Sequence, residues 1–196
     1  FGVFDIEFDR SRGAIEVVTG EGGYHETLDR GATWRVRRWF ADGLTRLVRS
    51  SAHAGLRIVA TPSGSAFRTL DRGDTWADIT SSFDDRSGAT SGQQWLADQS
   101  GAIYLGSNYG LMRSRNHGLT FESLPLIVPP EALPVLAIAV DPQNARRLIV
   151  AVNGELYRSD DDGASWAILP SPAPGRKTIA LAIDAADSDI VYAVAQ

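Results

Sequence analysis

The sequence predicts an all-β fold built from a repeated antiparallel sheet, and three observations lead to it. Composition comes first: 19 Gly and 9 Pro punctuate short runs rich in Val, Ile and Thr, the make-up of strands joined by turns. The helical signal is weak. Apolar residues at i, i+3 and i+4 are not sustained over any window of about 11 residues, and even "PPEALPVLAIAV" is interrupted by Pro134. Most telling is an internal repeat. "ETLDRGATW" (Glu26–Trp34) returns as "RTLDRGDTW" (Arg68–Trp76), then more loosely as "RSRNHGLTF" (Arg113–Phe121) and "RSDDDGASW" (Arg158–Trp166). The aligned residues Asp29, Asp71, Asn116 and Asp161 stand 42, 45 and 45 residues apart.

Each period spells its elements in one order. An apolar run opens it: "GVFDIEFD", "GLTRLVRS", "QQWLADQS" and "VLAIAVDP". Two short β-rich runs around a Gly-containing turn follow, as in "LRIVATPSGSAFRTLD" and "RLIVAVNGELYRSDD". The repeated hairpin comes next, and then a last run: "WRVRRW", "WADIT", "FESL" and "WAIL". Four strands in a period of roughly 40 to 50 residues is the pattern of a β-propeller blade. One such sheet cannot bury both faces alone, whereas blades stacked around an axis bury one another and leave only short edges. The predicted repeats are approximately 1–40, 41–81, 82–125 and 126–170, with a half repeat at 171–196. The expectation is a single propeller domain of four blades and half of a fifth, an incomplete ring whose remaining residues lie outside this segment.

The hairpin pattern is Ser/Thr-x-Asp-x-Gly-x-Ser/Thr-Trp, and each residue type has a local task. Asp29, Asp71, Asn116 and Asp161 can accept hydrogen bonds from amides two or three residues on. Gly31, Gly73, Gly118 and Gly163 permit positive φ. Trp34, Trp76, Phe121 and Trp166 re-enter the sheet and can fill the space between blades. These hairpins resemble Asp-boxes, also called BNR repeats, of sialidases, sortilin-type ectodomains, xyloglucanase-type hydrolases and photosystem II assembly factors. The stretch from Ala139 to Trp166 is especially similar. The resemblance covers nearly the whole chain and implies the fold, with the boxes on a rim away from ligands. It implies no single function, since these relatives do unrelated things.

Candidate chemistry is thin. A sialidase resemblance would imply an arginine cluster and a Tyr nucleophile, but the Arg-Ile-Pro segment is missing; Arg10 and Arg12 sit in a predicted turn. A xyloglucanase resemblance would imply two carboxylates facing across a groove, and its Gly-rich aspartate motif is not visible. His25, His53 and His117 fall in separate turns, one per blade, without zinc-ligand spacing, and no G-x-S-x-G elbow occurs. "SDDDG" (Ser159–Gly163) superficially suggests Ca²⁺, but a calcium loop needs alternating oxygen ligands and a distant Glu; solvated turn acids are the plainer reading. No metal or cofactor is expected.

Binding is the preferred function: a non-catalytic scaffold for a protein or glycan, the alternative being a glycan-active hydrolase with catalytic residues partly outside this segment. Turns between second and third strands and the connections between blades share one rim. The long connections Thr80–Gln93 and Leu124–Pro134 fall there, and long loops in compact repeats are often functional. Tyr24, Tyr109 and Trp95 are candidate aromatic platforms and Asp84, Asp85 and Arg86 candidate polar contacts; Trp95 reads equally as core of an innermost strand. Arg35, Arg37 and Arg38 follow the first hairpin, either as charges that guard a sheet edge or as a patch for an acidic partner. A net charge of −5 without a basic block gives no pointer to nucleic acid. No apolar run reaches the ~18 residues of a membrane helix. Cysteine is absent, which leaves the compartment open; analogy with Asp-box propellers implies an extracytoplasmic one.

Overall fold

The computed structural model describes residues 2–128 and 133–196. Residues 129–132, inside the predicted connection Leu124–Pro134, lie outside the described residues. The chain divides into two compact units, 1–81 and 82–196. The first holds sheet 1, made of β1 (Val3–Asp9), β2 (Ala14–Thr19), β3 (Gly23–Thr27) and β4 (Arg35–Trp39). It also holds sheet 2, made of β5 (Arg46–Arg49), β6 (Arg57–Ala60), β7 (Ala66–Thr69) and β8 (Ala77–Asp78). The second unit holds sheet 3: β9 (Gln94–Ala97), β10 (Ile103–Gly106), β11 (Leu111–Ser114) and β12 (Glu122–Leu124). Sheet 4 follows: β13 (Val135–Val140), β14 (Leu148–Val152), β15 (Glu155–Ser159) and β16 (Ala167–Leu169). The two-stranded sheet 5 is β17 (Thr178–Ile183) and β18 (Val191–Ala195). Every sheet is an antiparallel meander in chain order.

Second strands are near-continuous apolar runs, "AIEVV", "RIVA", "IYLG" and "LIVAV", and are buried along almost their whole length. That is the pattern of a strand covered on both faces. Fourth strands are short and mostly exposed, which suits an edge. In the first unit Val18, Tyr24, Phe40, Leu44, Leu47 and Val59 form the core, with Trp76 packed against it. In the second, Leu111, Leu124, Val135, Val150 and Tyr157 belong to one cluster, and β17 closes on β13 and β14 through Leu181 and Ile183. Each such buried side chain contributes about 1.5–3 kcal/mol against exposure.

A second repeated turn escapes the sequence reading. Asp9, Asp98, Asp141 and Asp184 end the first strands of sheets 1, 3, 4 and 5 and accept hydrogen bonds from amides just ahead: Ser11 (3.1 Å), Ala102 (2.9 Å), Gln143 (2.8 Å) and Ala186 (2.8 Å). Ser50 takes the place in sheet 2, bonded by the His53 amide at 3.1 Å. The signal was present, as an acid closing "FDRS", "ADQS", "VDPQ" and "IDAA".

Candidate functional site

In a four-stranded meander the hairpin between third and fourth strands lies at one end of the sheet. The turn between second and third strands, and the exit of the fourth, lie at the other. The two ends have different chemistry here.

At the hairpin end the bonding is the same four times. In sheet 1 the Thr27 hydroxyl donates to Asp29 (2.7 Å) and accepts from the Gly31 amide (3.0 Å). Asp29 accepts from the Thr33 amide at 2.9 Å and the Thr33 hydroxyl at 2.6 Å. Thr69–Asp71–Gly73–Thr75 and Ser159–Asp161–Gly163–Ser165 repeat it. Asn116 substitutes one donor for an acceptor: its Nδ2 donates to Thr120 at 2.8 Å while its Oδ1 accepts the Thr120 amide at 3.0 Å. The expected amides two or three residues on are therefore not the ones used; the carboxylate reaches four residues on, and the Ser/Thr hydroxyl serves the glycine. Gly31, Gly73, Gly118 and Gly163 have φ of 93°, 94°, 82° and 87°, each preceded by a non-glycine at positive φ, as a type I′ turn requires. Hydrogen bonds led by the Ser/Thr hydroxyls draw Asp29, Asp71 and Asp161 down to about 2.

The terminal aromatics differ in burial. Trp76 of sheet 2 packs edge-on against Tyr24 (5.4 Å between centroids) and Phe40 (5.2 Å) of sheet 1. Phe121 meets Phe83 and Trp95 at 5.7 and 5.9 Å, and Trp166 packs on the cluster that holds Leu124. Trp34 is 46% exposed.

The candidate ligand residues divide. Tyr24 lies in β3 with 0% exposure, beneath Trp76; it is core, because the turn before it ends at Gly22 and β3 starts at Gly23. Trp95 is 8% exposed within the aromatic trio, its Nε1 bonded to Gln93 at 3.0 Å, so it too is core. Arg86 ties its connection down, donating to the Phe121 carbonyl at 3.0 Å and pairing with Asp85. Asp84 and Asp85 are exposed. Tyr109 is at the surface, its hydroxyl 2.8 Å from Ser123. His25 lies in a strand rather than a turn.

The arginines after the first hairpin also separate. Arg35 and Arg38 are exposed, whereas Arg37 pairs with buried Glu26 (3.1 Å) and with Asp74 of sheet 2. A buried carboxylate needs such a cation. In "SDDDG", Asp160 pairs with Arg147 and Arg158, and Asp162 with Arg113 and Arg115, while Asp161 is held by the two serines of the hairpin. Among the described residues no three His, Asp or Glu side chains converge as for a metal.

Another charged cluster lies between sheets 1 and 2. Arg57, with 0% exposure, donates to Glu16 (2.5 and 2.8 Å) and Asp9 (3.1 Å), and Arg49 also reaches Asp9. Glu7 stands beside it, pushed up to about 7 by burial and by Asp5 despite Arg49.

At the opposite end, sheets 3 and 4 carry open pockets at one repeat position. The sheet 3 pocket, about 360 Å³, lies between the β10–β11 turn and the described residues that follow β12 and precede β13, with Tyr109, Leu111, Leu124, Leu126, Val128 and Leu133 in its wall. The sheet 4 pocket, about 500 Å³, is formed by the β14–β15 turn and the connection to β17, and presents Asn153, Glu155, Ser171, Arg176 and Lys177. Apart from Tyr109 and the loop ends, these residues were not singled out from sequence. Their signal was divergence: the same turn position reads "NYG" in one repeat and "NG" in the next.

No family model matches the chain, and no curated protein sequence does. Solved structures do. A GH74 xyloglucanase from Xanthomonas campestris superposes with a TM-score of 0.77 at 22% identity, over 97% of this chain and 35% of that one. YCF48 bound to D1 peptide gives 0.72 at 17% identity, over 96% of this chain and 60% of that one. The extracellular domain of the one-component system BT4673 from B. thetaiotaomicron gives 0.63 at 14%, over 98% and 31%. The chain thus spans about a third of the xyloglucanase's length. With four-stranded meanders repeated along the chain and these neighbours, the fold is that of a β-propeller.

Proposed function

We propose that the chain is a non-catalytic scaffold that binds a protein or glycan partner through the sheet ends opposite the repeated hairpins. The hairpins are Asp-boxes in this reading, clamps that hold third and fourth strands together. The carrying observation is the pair of open pockets in sheets 3 and 4. Positions that serve the scaffold repeat from sheet to sheet; the pocket linings diverge, as ligand-facing positions do on a repeat framework. The solved YCF48 holds a peptide, so this architecture elsewhere serves peptide recognition. An extracytoplasmic setting rests on analogy with the BT4673 domain.

The test is binding of the chain to a peptide array and to xyloglucan oligosaccharides. Tyr109→Ala should abolish binding, while Thr33→Val at the hairpin end should leave it unchanged. Release of reducing ends from xyloglucan by the chain would overturn the scaffold reading in favour of the hydrolase.

A further inference from the structure

The chemistry of the two pockets narrows the partner class, on the footing of the scaffold reading above. We infer that the partner segment is an extended acidic peptide, with an apolar side chain seated between Tyr109 and Leu133 and a carboxylate held by Arg176 and Lys177.

The two pockets adjoin within one unit. Leu133, in the wall of the first, stands two residues before Val135, whose ladder partner on β14 is Val152. Asn153, at the mouth of the second, follows Val152 directly. Neighbouring strands are about 4.8 Å apart and an extended chain advances about 3.3 Å per residue, so a few extended residues span both pockets. Among the described residues the wall of the first pocket carries no charged side chain, and aliphatic walls with one tyrosine suit a leucine- or phenylalanine-sized group. The second carries two cations against one acid, Glu155. Arg86, Arg113, Arg115, Arg147 and Arg158 of the same unit are committed to Asp or Glu, and exposed Arg146 stands at the other, hairpin end, where its carbonyl accepts from the Asp162 amide at 2.8 Å. Arg176 and Lys177 have no ion pair among the described residues, and both are exposed. In a chain of net charge −5, uncommitted cations beside an open pocket are complementary to a carboxylate, and Ser171 and Asn153 add hydrogen-bond donors. Apolar burial supplies affinity and the charges supply selection.

Four fluorescein-labelled nine-residue peptides test this by anisotropy: one leucine followed by three Glu, and versions with Leu→Ser, Glu→Gln or Glu→Lys. The Leu/Glu peptide should bind tightest, with the Gln version about 10-fold weaker at 50 mM NaCl and the gap closing at 500 mM as charges are screened. The double variant Arg176→Ser, Lys177→Ser should erase the Glu-over-Gln preference and leave Gln-peptide binding intact. Tyr109→Ala should weaken every leucine peptide. Carbodiimide should join the bound Glu peptide to Lys177, the chain's one lysine. Equal binding of Glu and Gln peptides, or a preference that survives the double variant, overturns the acidic assignment and leaves the scaffold reading standing. Failure of all four peptides overturns the inference; if xyloglucan oligosaccharides also fail to bind, the scaffold reading falls with it.

Discussion

In sheet 1 the turn between second and third strands meets the exit of the fourth strand backbone to backbone; in sheets 3 and 4 the same meeting leaves a pocket. The sheet 1 junction is closed by the Phe40 amide donating to the Gly22 carbonyl at 2.8 Å. A Cβ on Gly22 (φ 98°) would lie 2.0 Å from the Phe40 oxygen, and one on Gly43 (φ 73°) 2.4 Å from the Gly20 oxygen. Glycine is needed at both for conformation and for space. The sheet 1 connection runs only from 40 to 45, whereas those of sheets 3 and 4 run 125–134 and 170–177. A short connection with a glycine can be drawn onto the turn, whereas the longer 170–177, with Pro170, Pro172 and Pro174, leaves a cavity beside it. One framework position is thus scaffold in one unit and surface cavity in the other.

The units also differ in how adjacent sheets meet. Sheets 1 and 2 share the fully buried Arg57 cluster beside their apolar core, whereas sheets 3 and 4 meet over Leu, Val and Ile with the part-exposed Arg113–Asp162 pair. The largest expected effect breaks the first arrangement. Arg57→Ala leaves Glu16 and Asp9 buried without their cation and should destabilise the first unit by about 3–5 kcal/mol in urea denaturation. Loss of under about 1 kcal/mol would mean that the cluster is not desolvated.

Next comes the sealed junction. Gly22→Ala adds backbone strain and a clash and should cost about 2–4 kcal/mol. Gly110→Ala, beside the open pocket, avoids the clash, its nearest neighbour among the described residues being Leu133 Cδ2 at 3.9 Å, and should cost only the strain of its φ of 134°, about 1–2 kcal/mol. Equal losses in the two denaturation curves would erase the distinction between the junctions.

The smallest effect is pH. Glu7 is raised from 4.5 to about 7, so the fold favours its protonated form. That stabilisation is complete below about 4.5 and is lost as pH rises through about 7. Amide exchange in residues 1–81 should therefore quicken from pH 5 to pH 8, after correction for intrinsic rates, and Glu7→Gln should remove the trend. Asp29, Asp71 and Asp161 act oppositely: lowered from 3.8 to about 2, they stabilise above about 3.8 and lose this as pH falls towards 2. Both units should loosen in acid, and only the first towards neutral pH through Glu7.

The strand order and all four hairpins were legible in the sequence, because a hairpin of eight residues satisfies its own hydrogen bonds. Which atoms bond was less so. The Ser/Thr hydroxyl and the Asp carboxylate compete for the same amides, and only the backbone path assigns Gly31 to Thr27 and Thr33 to Asp29. The candidate ligand residues fared unevenly because "GEGGYH" does not say where the turn stops; Tyr24 is one residue into the strand and faces Trp76.

The sequence by itself determined what depends on near neighbours: the four-strand period, the turns, the largely apolar second strands and the aromatic that ends each hairpin. Only the tertiary structure decided what depends on the adjacent sheet. It packed Trp76 against Tyr24 and Phe40 and left Trp34 exposed, turned Arg37 inward to Glu26 and Asp74, sealed the junction at Gly22, and opened those beside Tyr109 and Lys177. The physical reason is range. Turn chemistry and strand alternation act over a few residues, whereas burial, ion pairing and cavity shape are set by side chains some 40 residues away along the chain.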